Sequence, residues 1–289
     1  MNTISVLTQL TFCILSSVTG LNNGGARAPI IQTTHGKIKG KHVPAHVNPR
    51  SKNRSPIYVE TFQGVPFAEP PVGDLRFAAP MDTNPWDATL DTSEYKPACL
   101  QLDDETFGTK FRPATMWNSK QKSEDCLYLN IWRPKGTTEN HRLPVMVWIF
   151  GGGFVTGSNH LDVYDGRVLS NLGQVIVVSI NYRVGLFGFF PPIEGTDSVG
   201  NVGLLDQRLG LRWVYENAAN LGGDRSKITI FGESAGSVSV GLHVLSRDLH
   251  IKTIDREEGT NDPPAGVPLS TRYSLLESKT LFFSNFSFF

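Results

Sequence analysis

Ser234 stands at the centre of Gly232-Glu233-Ser234-Ala235-Gly236, with a glycine two residues away on either side. An apolar run, residues 228–231, stops just before it, and the apolar stretch 237–245 follows. That order predicts a strand, a tight turn carrying the serine, and then a helix. The glycines let neighbouring backbone pack closely where a Cβ would block it. The turn would hold the Ser234 hydroxyl at the helix N-terminus, where free N–H groups and the helix dipole favour developing negative charge. A G-x-S-x-G serine in this setting is a nucleophile for acyl transfer.

Attack on an ester generates a tetrahedral oxyanion that needs fixed donors. Gly151-Gly152-Gly153-Phe154 closes an earlier apolar run, and glycine backbone can approach an oxyanion without side-chain obstruction. The N–H groups of Gly152 and Gly153, with that of Ala235, would form a three-donor hole. Taken alone, a triple glycine reads more readily as a flexible turn. Its position upstream of the serine motif favours the catalytic reading.

These residues need elements to hold them. Three continuous apolar runs, 145–150, 175–180 and 228–231, fit strands covered on both faces. Between the second and third, Leu205, Leu209 and Trp213 recur every four residues, and Leu221-Gly222-Gly223 supplies a helix stop. Strand, helix and strand predict a right-handed βαβ unit, a mostly parallel sheet and the α/β class. Residues 127–132 alternate before a proline and read as a further strand. Residues 37–40 read as a short strand, residues 41–56 as loop, and the proline-rich stretch 66–97 as a series of turns. No internal repeat is present.

The 289 residues suffice for one large domain or two ordinary ones, and 39% apolar content supports a sizeable core. Lys+Arg and Asp+Glu number 27 each without blocks of like charge, which excludes a nucleic-acid surface. Residues 1–20 read as a secretory signal peptide ending at Gly20, although the basic start is missing; the alternative is a buried strand or helix. A secreted or extracellular location follows. Cys13 falls in that segment, so Cys99 and Cys126 remain as an even pair, read as a disulfide or as two buried thiols. No histidine sits at metal-ligand spacing from a cysteine, and neither a metal nor a cofactor is implied. Asn53-Arg54-Ser55 is a glycosylation sequon in a loop-like stretch, and Asn285-Phe286-Ser287 is a second match. Residues 249–289 match nothing and read as a disordered tail, its closing LFFSNFSFF too short to span a membrane.

From about residue 33 to 247 the chain resembles the N-terminal half of a type-B carboxylesterase, and within that family a cholinesterase. The matching strings are FQGVPFAEPPVGDLRF, SEDCLYLNIW, GGGF, LDVYDGR, NYRVGLFGF, GNVGLLDQRLGLRWVYENAANLGGD and FGESAGSVSVGLHVLS. The resemblance implies an α/β-hydrolase fold, here ending after the elbow helix, over residues 29–248. It implies hydrolysis of a small-molecule carboxylic ester, a choline ester above all, through an acyl-enzyme on Ser234. It places Trp117 under the choline cation, as a cation–π partner. Glu233 becomes the carboxylate at the base of the gorge, Tyr164 a further wall of the choline subsite, and Asp104 the aspartate at the gorge mouth. It also implies a Cys99–Cys126 disulfide loop and two structural ion pairs, Arg183 with Asp206 and Arg76 with Glu124. Any oligomerisation segment or membrane anchor belongs to the missing C-terminal part.

A serine needs a base and the base an orienting acid, both after the serine in this fold. Only His243 and His250 follow Ser234. Nine helical positions put His243 about 13 Å from Ser234 by helical rise, too far to reach its hydroxyl. The expectation is therefore a chain that carries the first triad member, lacks the acid and histidine, and is inactive as it stands. A carboxylesterase for neutral esters and a non-catalytic adhesion or binding protein remain the alternatives.

Overall fold

The computed structural model describes residues 27–45, 57–103, 119 and 121–246. In chain order the strands are β1 (Ile30–Gln32), β2 (Lys37–Lys39), β3 (Lys41–Ala45), β4 (Ile57–Pro66), β5 (Leu90–Asp91), β6 (Ala98–Cys99), β7 (Lys122–Ser123), β8 (Tyr128–Pro134), β9 (Leu143–Ile149), β10 (Ile176–Ile180) and β11 (Gly223–Gly232). The helices are α1 (Arg167–Gly173), α2 (Gly185–Phe189), α3 (Val202–Asn217) and α4 (Ala235–Leu245).

The three apolar runs become β9, β10 and β11, but only β10 is buried along its whole length. From Val145 to Ile149, β9 alternates buried with half-buried residues, and residues 228–231 of β11, an outermost strand, are half-buried, so full cover on both faces holds for β10 alone. The main sheet runs in the order β11-β9-β10-β8-β4-β3. β9 pairs in parallel with both β10 and β11, but β10–β8, β8–β4 and β4–β3 are antiparallel. The mostly parallel sheet expected from the βαβ rhythm is thus a mixed one. Parallel pairs arise where a helix carries the chain back across the sheet, as α1 does between β9 and β10 and α3 between β10 and β11. The strands before β9 have no such crossover among the described residues.

One further correction concerns residues 41–56, read above as loop: Lys41–Ala45 form β3, with Val43 opposite Val59 of β4. Pro44 hides this strand in the sequence, because proline cannot donate to a ladder. It is tolerated because β3 is the outer strand of the sheet, where one row of N–H groups needs no partner. The short strand expected at 37–40 is β2.

Helices cover both faces. Ile176, Val178 and Ile180 of β10 join Val145, Val147 and Ile149 of β9 in the large core, packed with Leu209, Trp213 and Val214 of α3 and Val240 of α4. Val177, on the opposite face, packs with Trp132 and Val59 in a second cluster beside α1. Cys99 and Cys126 form a buried disulfide with Cα atoms 4.9 Å apart, alongside the parallel β6–β7 pair. The buried Arg183 guanidinium meets Asp206 of α3 through two bonds, Nε to Oδ2 at 2.8 Å and Nη2 to Oδ1 at 2.7 Å, and Arg76 Nε donates to Glu124 at 2.8 Å.

The strand order also locates the functional end. The chain leaves β9 for β10 on one side, then crosses to β11 on the other. The C-terminal ends of β9 and β11 therefore flank a point where the sheet order reverses, the place where open α/β sheets bind ligands.

Candidate active site

At the end of β11 the backbone turns sharply. Ser234 has φ 53° and ψ −123°, outside the regions open to ordinary L-residues, and α4 begins at the next residue. The flanking glycines have measurable reasons to be glycine. A Cβ on Gly236 would lie 2.0 Å from the Ile149 carbonyl oxygen, and one on Gly232 would lie 2.5 Å from the Gly236 carbonyl carbon. Side chains at either position would push the elbow away from β9. The turn is closed by the Gly236 N–H on the Glu233 carbonyl at 2.8 Å and the Val238 N–H on the Ser234 carbonyl at 3.0 Å. Ser234 and Glu233 are exposed, so the hydroxyl faces solvent.

The triple glycine follows β9 directly and abuts this elbow. A Cβ on Gly151 would lie 2.9 Å from the Ser234 Cβ and 2.7 Å from a Glu233 carboxylate oxygen. Gly152 and Gly153 both have positive φ, 114° and 62°, a conformation glycine reaches readily. The carbonyl of Gly152 accepts from the N–H groups of Val155 and Thr156, which curls the segment into a compact turn. Among the described residues, the N–H groups of Gly152 and Gly153 donate to nothing. The Ala235 N–H, at the first position of α4, has no intrahelical acceptor either. The structure thus sets a serine on a forced turn against Gly151 at the neighbouring strand end, with Gly152 and Gly153 next along the chain.

Glu233 and Tyr164 also meet here. Desolvation moves the Glu233 carboxyl above its usual range, despite its exposed side. Burial pushes the Tyr164 hydroxyl up, and the charge of Glu233 adds to the shift. The half-buried Tyr164 ring packs on Trp148, with ring centroids 5.0 Å apart, and Trp148 packs on Phe231 at 4.9 Å. Trp148 was not singled out in the sequence, where it reads as one more apolar residue of β9. Trp117, Asp104 and Asn53 lie outside the described residues, as do residues 1–20 and 249–289.

No group among the described residues hydrogen-bonds the Ser234 hydroxyl. Each of the five described histidines is engaged elsewhere: His35 with Thr34, His42 with Glu60, His141 with Thr138, His160 with Ser119 and Ser158, and His243 with Gln207. His243 lies buried between α4 and α3, Nε2 2.8 Å from Gln207 Oε1. Burial, with the nearby charge of Arg208, lowers its pKa to about 4. It ties the elbow helix to α3. Gln207 Nε2 in turn donates to Ser239 at 3.1 Å. No three His, Cys, Asp or Glu side chains among the described residues cluster as metal ligands would. No helix among them is long and apolar enough to cross a membrane.

Comparison with known proteins bears on this geometry. The model of the carboxylesterase family matches residues 27–256. Over 263 residues the chain is 44% identical to an acetylcholinesterase of Bungarus fasciatus, covering 90% of this chain and 41% of that protein. It is 49% identical over 219 residues to an acetylcholinesterase of Electrophorus electricus, covering 75% and 33%. It is 50% identical over 186 residues to acetylcholinesterase 1 of Caenorhabditis elegans, covering 64% and 30%. The chain therefore spans less than half the length of these relatives.

Proposed function

Since the chain belongs to the carboxylesterase family, we propose that this site is the nucleophile half of a serine carboxylic ester hydrolase. The Ser234 Oγ attacks the ester carbonyl carbon, and the carbonyl π electrons move onto oxygen. The N–H groups of Gly152, Gly153 and Ala235 receive that oxyanion. Its collapse expels the alcohol and leaves an acyl group on Ser234, which water then removes. The proton of the hydroxyl goes to a base that is not among the described residues. The observation that carries this reading is a serine held at positive φ against Gly151, with the N–H groups of the next two glycines and of Ala235 donating to nothing among the described residues.

The substrate proposed is a choline ester. The relatives are named acetylcholinesterases. Glu233 supplies negative charge beside the nucleophile, and the Tyr164–Trp148–Phe231 rings supply aromatic surface nearby. Trp117 would add the face on which a quaternary ammonium rests. The proposed location is extracellular, which the Cys99–Cys126 disulfide suits.

The test is labelling with a fluorophosphonate, read by mass spectrometry of the Ser234 peptide, with Ser234→Ala as the blank. Stoichiometric labelling that a quaternary ammonium ion slows supports the choline reading. Labelling that the ion leaves unchanged favours neutral esters. A second reading, a non-catalytic binding protein, rests on the absence of a base near Ser234 among the described residues. Binding of the ammonium ion without any labelling would select it.

A further inference from the structure

Gln101 lies two residues past Cys99, away from the elbow, yet its amide makes four hydrogen bonds. Oε1 accepts from the Thr156 hydroxyl at 2.6 Å and from the Gly157 N–H at 2.7 Å. Nε2 donates to the Gly157 carbonyl at 2.7 Å and to the Cys99 carbonyl at 2.9 Å. The orientation of the amide is settled by its partners, because a backbone N–H only donates and a carbonyl only accepts. The side chain thus grips both backbone groups of one residue, as a neighbouring strand would.

Gly157 closes the turn that begins at the triple glycine. It has φ 116°, and a Cβ there would lie 2.5 Å from the Phe150 ring and 2.6 Å from the Gly151 carbonyl oxygen. A Cβ on Gly152 would lie 2.3 Å from the Thr156 carbonyl oxygen. The limb that Gln101 holds is therefore pressed directly onto Gly151 and Gly152. Other contacts tether the turn at different points: the Gly185 N–H on the Phe154 carbonyl at 2.7 Å, and the Tyr182 hydroxyl on the Phe150 carbonyl at 2.8 Å. Among the described residues, only Gln101 donates to or accepts from the backbone of Gly157. On its other side the grip ends at Cys99, which is fixed by the disulfide and by β7.

We infer that Gln101 is a positioning residue for the Gly152–Gly153 donors, carrying the rigidity of the disulfide loop to the oxyanion turn. Its catalytic consequence rests on the ester-hydrolase reading, whereas its hold on the turn does not.

Two variants and two readouts test this on the full chain. Gln101→Ala removes all four bonds. Gln101→Glu keeps the shape but sets carboxylate oxygen against the Gly157 and Cys99 carbonyls, so it remains informative if the alanine variant does not fold. Amide exchange at Gly157 should quicken by about tenfold or more in each variant, with α3 amides unchanged. The fluorophosphonate rate at saturating reagent should fall by roughly 10- to 100-fold, somewhat less than loss of a whole oxyanion donor, with reagent affinity held. Unchanged exchange at Gly157 overturns the inference. Faster exchange with an unchanged labelling rate also overturns it, reducing Gln101 to a structural tie. If the parent chain is not labelled at all, the ester-hydrolase reading fails, and exchange alone then decides whether Gln101 holds the turn.

Discussion

Replacing Ser234 by alanine and by glycine separates the chemistry of the elbow from its backbone. Ser234 sits at φ 53° and ψ −123°. A side chain in such a region costs about 1–3 kcal/mol in conformational strain. Alanine keeps the Cβ and hence the strain. Serine to alanine also forfeits no cap, because the Ser234 side chain makes no capping bond to α4. That change should stay within about 0.5 kcal/mol of the parent. Glycine removes the strain but loosens the unfolded chain, which offsets about 0.4–1 kcal/mol. Ser234→Gly should therefore be more stable than Ser234→Ala by about 1 kcal/mol, or roughly 2–4 °C in Tm for a domain of this size. At an unstrained helix boundary glycine would be the less stable of the two. The assay is urea unfolding followed by tryptophan fluorescence, with the slopes compared so that only the midpoint carries the difference. A glycine variant no more stable than the alanine variant would refute the idea that the elbow stores strain.

Other outcomes follow from the surrounding geometry. Asp206→Ala leaves the Arg183 guanidinium buried without its carboxylate, and should lower unfolding free energy by about 3–5 kcal/mol in chemical denaturation. Gly236→Ala drives a Cβ against the Ile149 carbonyl; expect a loss of about 1–3 kcal/mol and a sharp fall in Ser234 labelling, and a variant matching the parent in both would contradict the packing described. His243 has a folded pKa of about 4 against an ordinary 6.5, so the unfolded chain binds the extra proton first as pH falls. Its contribution is complete above about 6.5, shrinks as pH drops and is lost near 4, at most about 3 kcal/mol. His243→Gln should flatten that part of the stability–pH curve, measured by denaturation midpoints across the window.

The sequence by itself determined the local parts. Residues 145–150, 175–180 and 228–231 are apolar without alternation and marked three strands, although of these only β10 is buried throughout. The spacing of Gly232, Ser234 and Gly236, weak by itself, pointed to the elbow because an apolar strand run precedes it and an apolar helix run follows. Setting Cys13 aside in the expected signal segment left Cys99 and Cys126 as a disulfide or two buried thiols, and the structure joins them. What lay beyond reach was whatever depends on partners distant in the chain. The antiparallel half of the sheet is set by which strands come to lie beside β10 and β8, and no local pattern encodes that. β3 was hidden because Pro44 is tolerated only at a sheet edge, a property of its place in the fold. Gln101 went unmarked in the sequence, because its partners Thr156 and Gly157 lie 55 and 56 residues later. Helical rise alone set His243 beyond reach of Ser234, but its burial against Gln207 of α3 is known only from the fold. Periodicity and glycine spacing act through the backbone within a few residues and can be read directly. Hydrogen-bond partners and burial are decided only when the chain closes on itself, and they separate the groups that hold the site from those that could act in it.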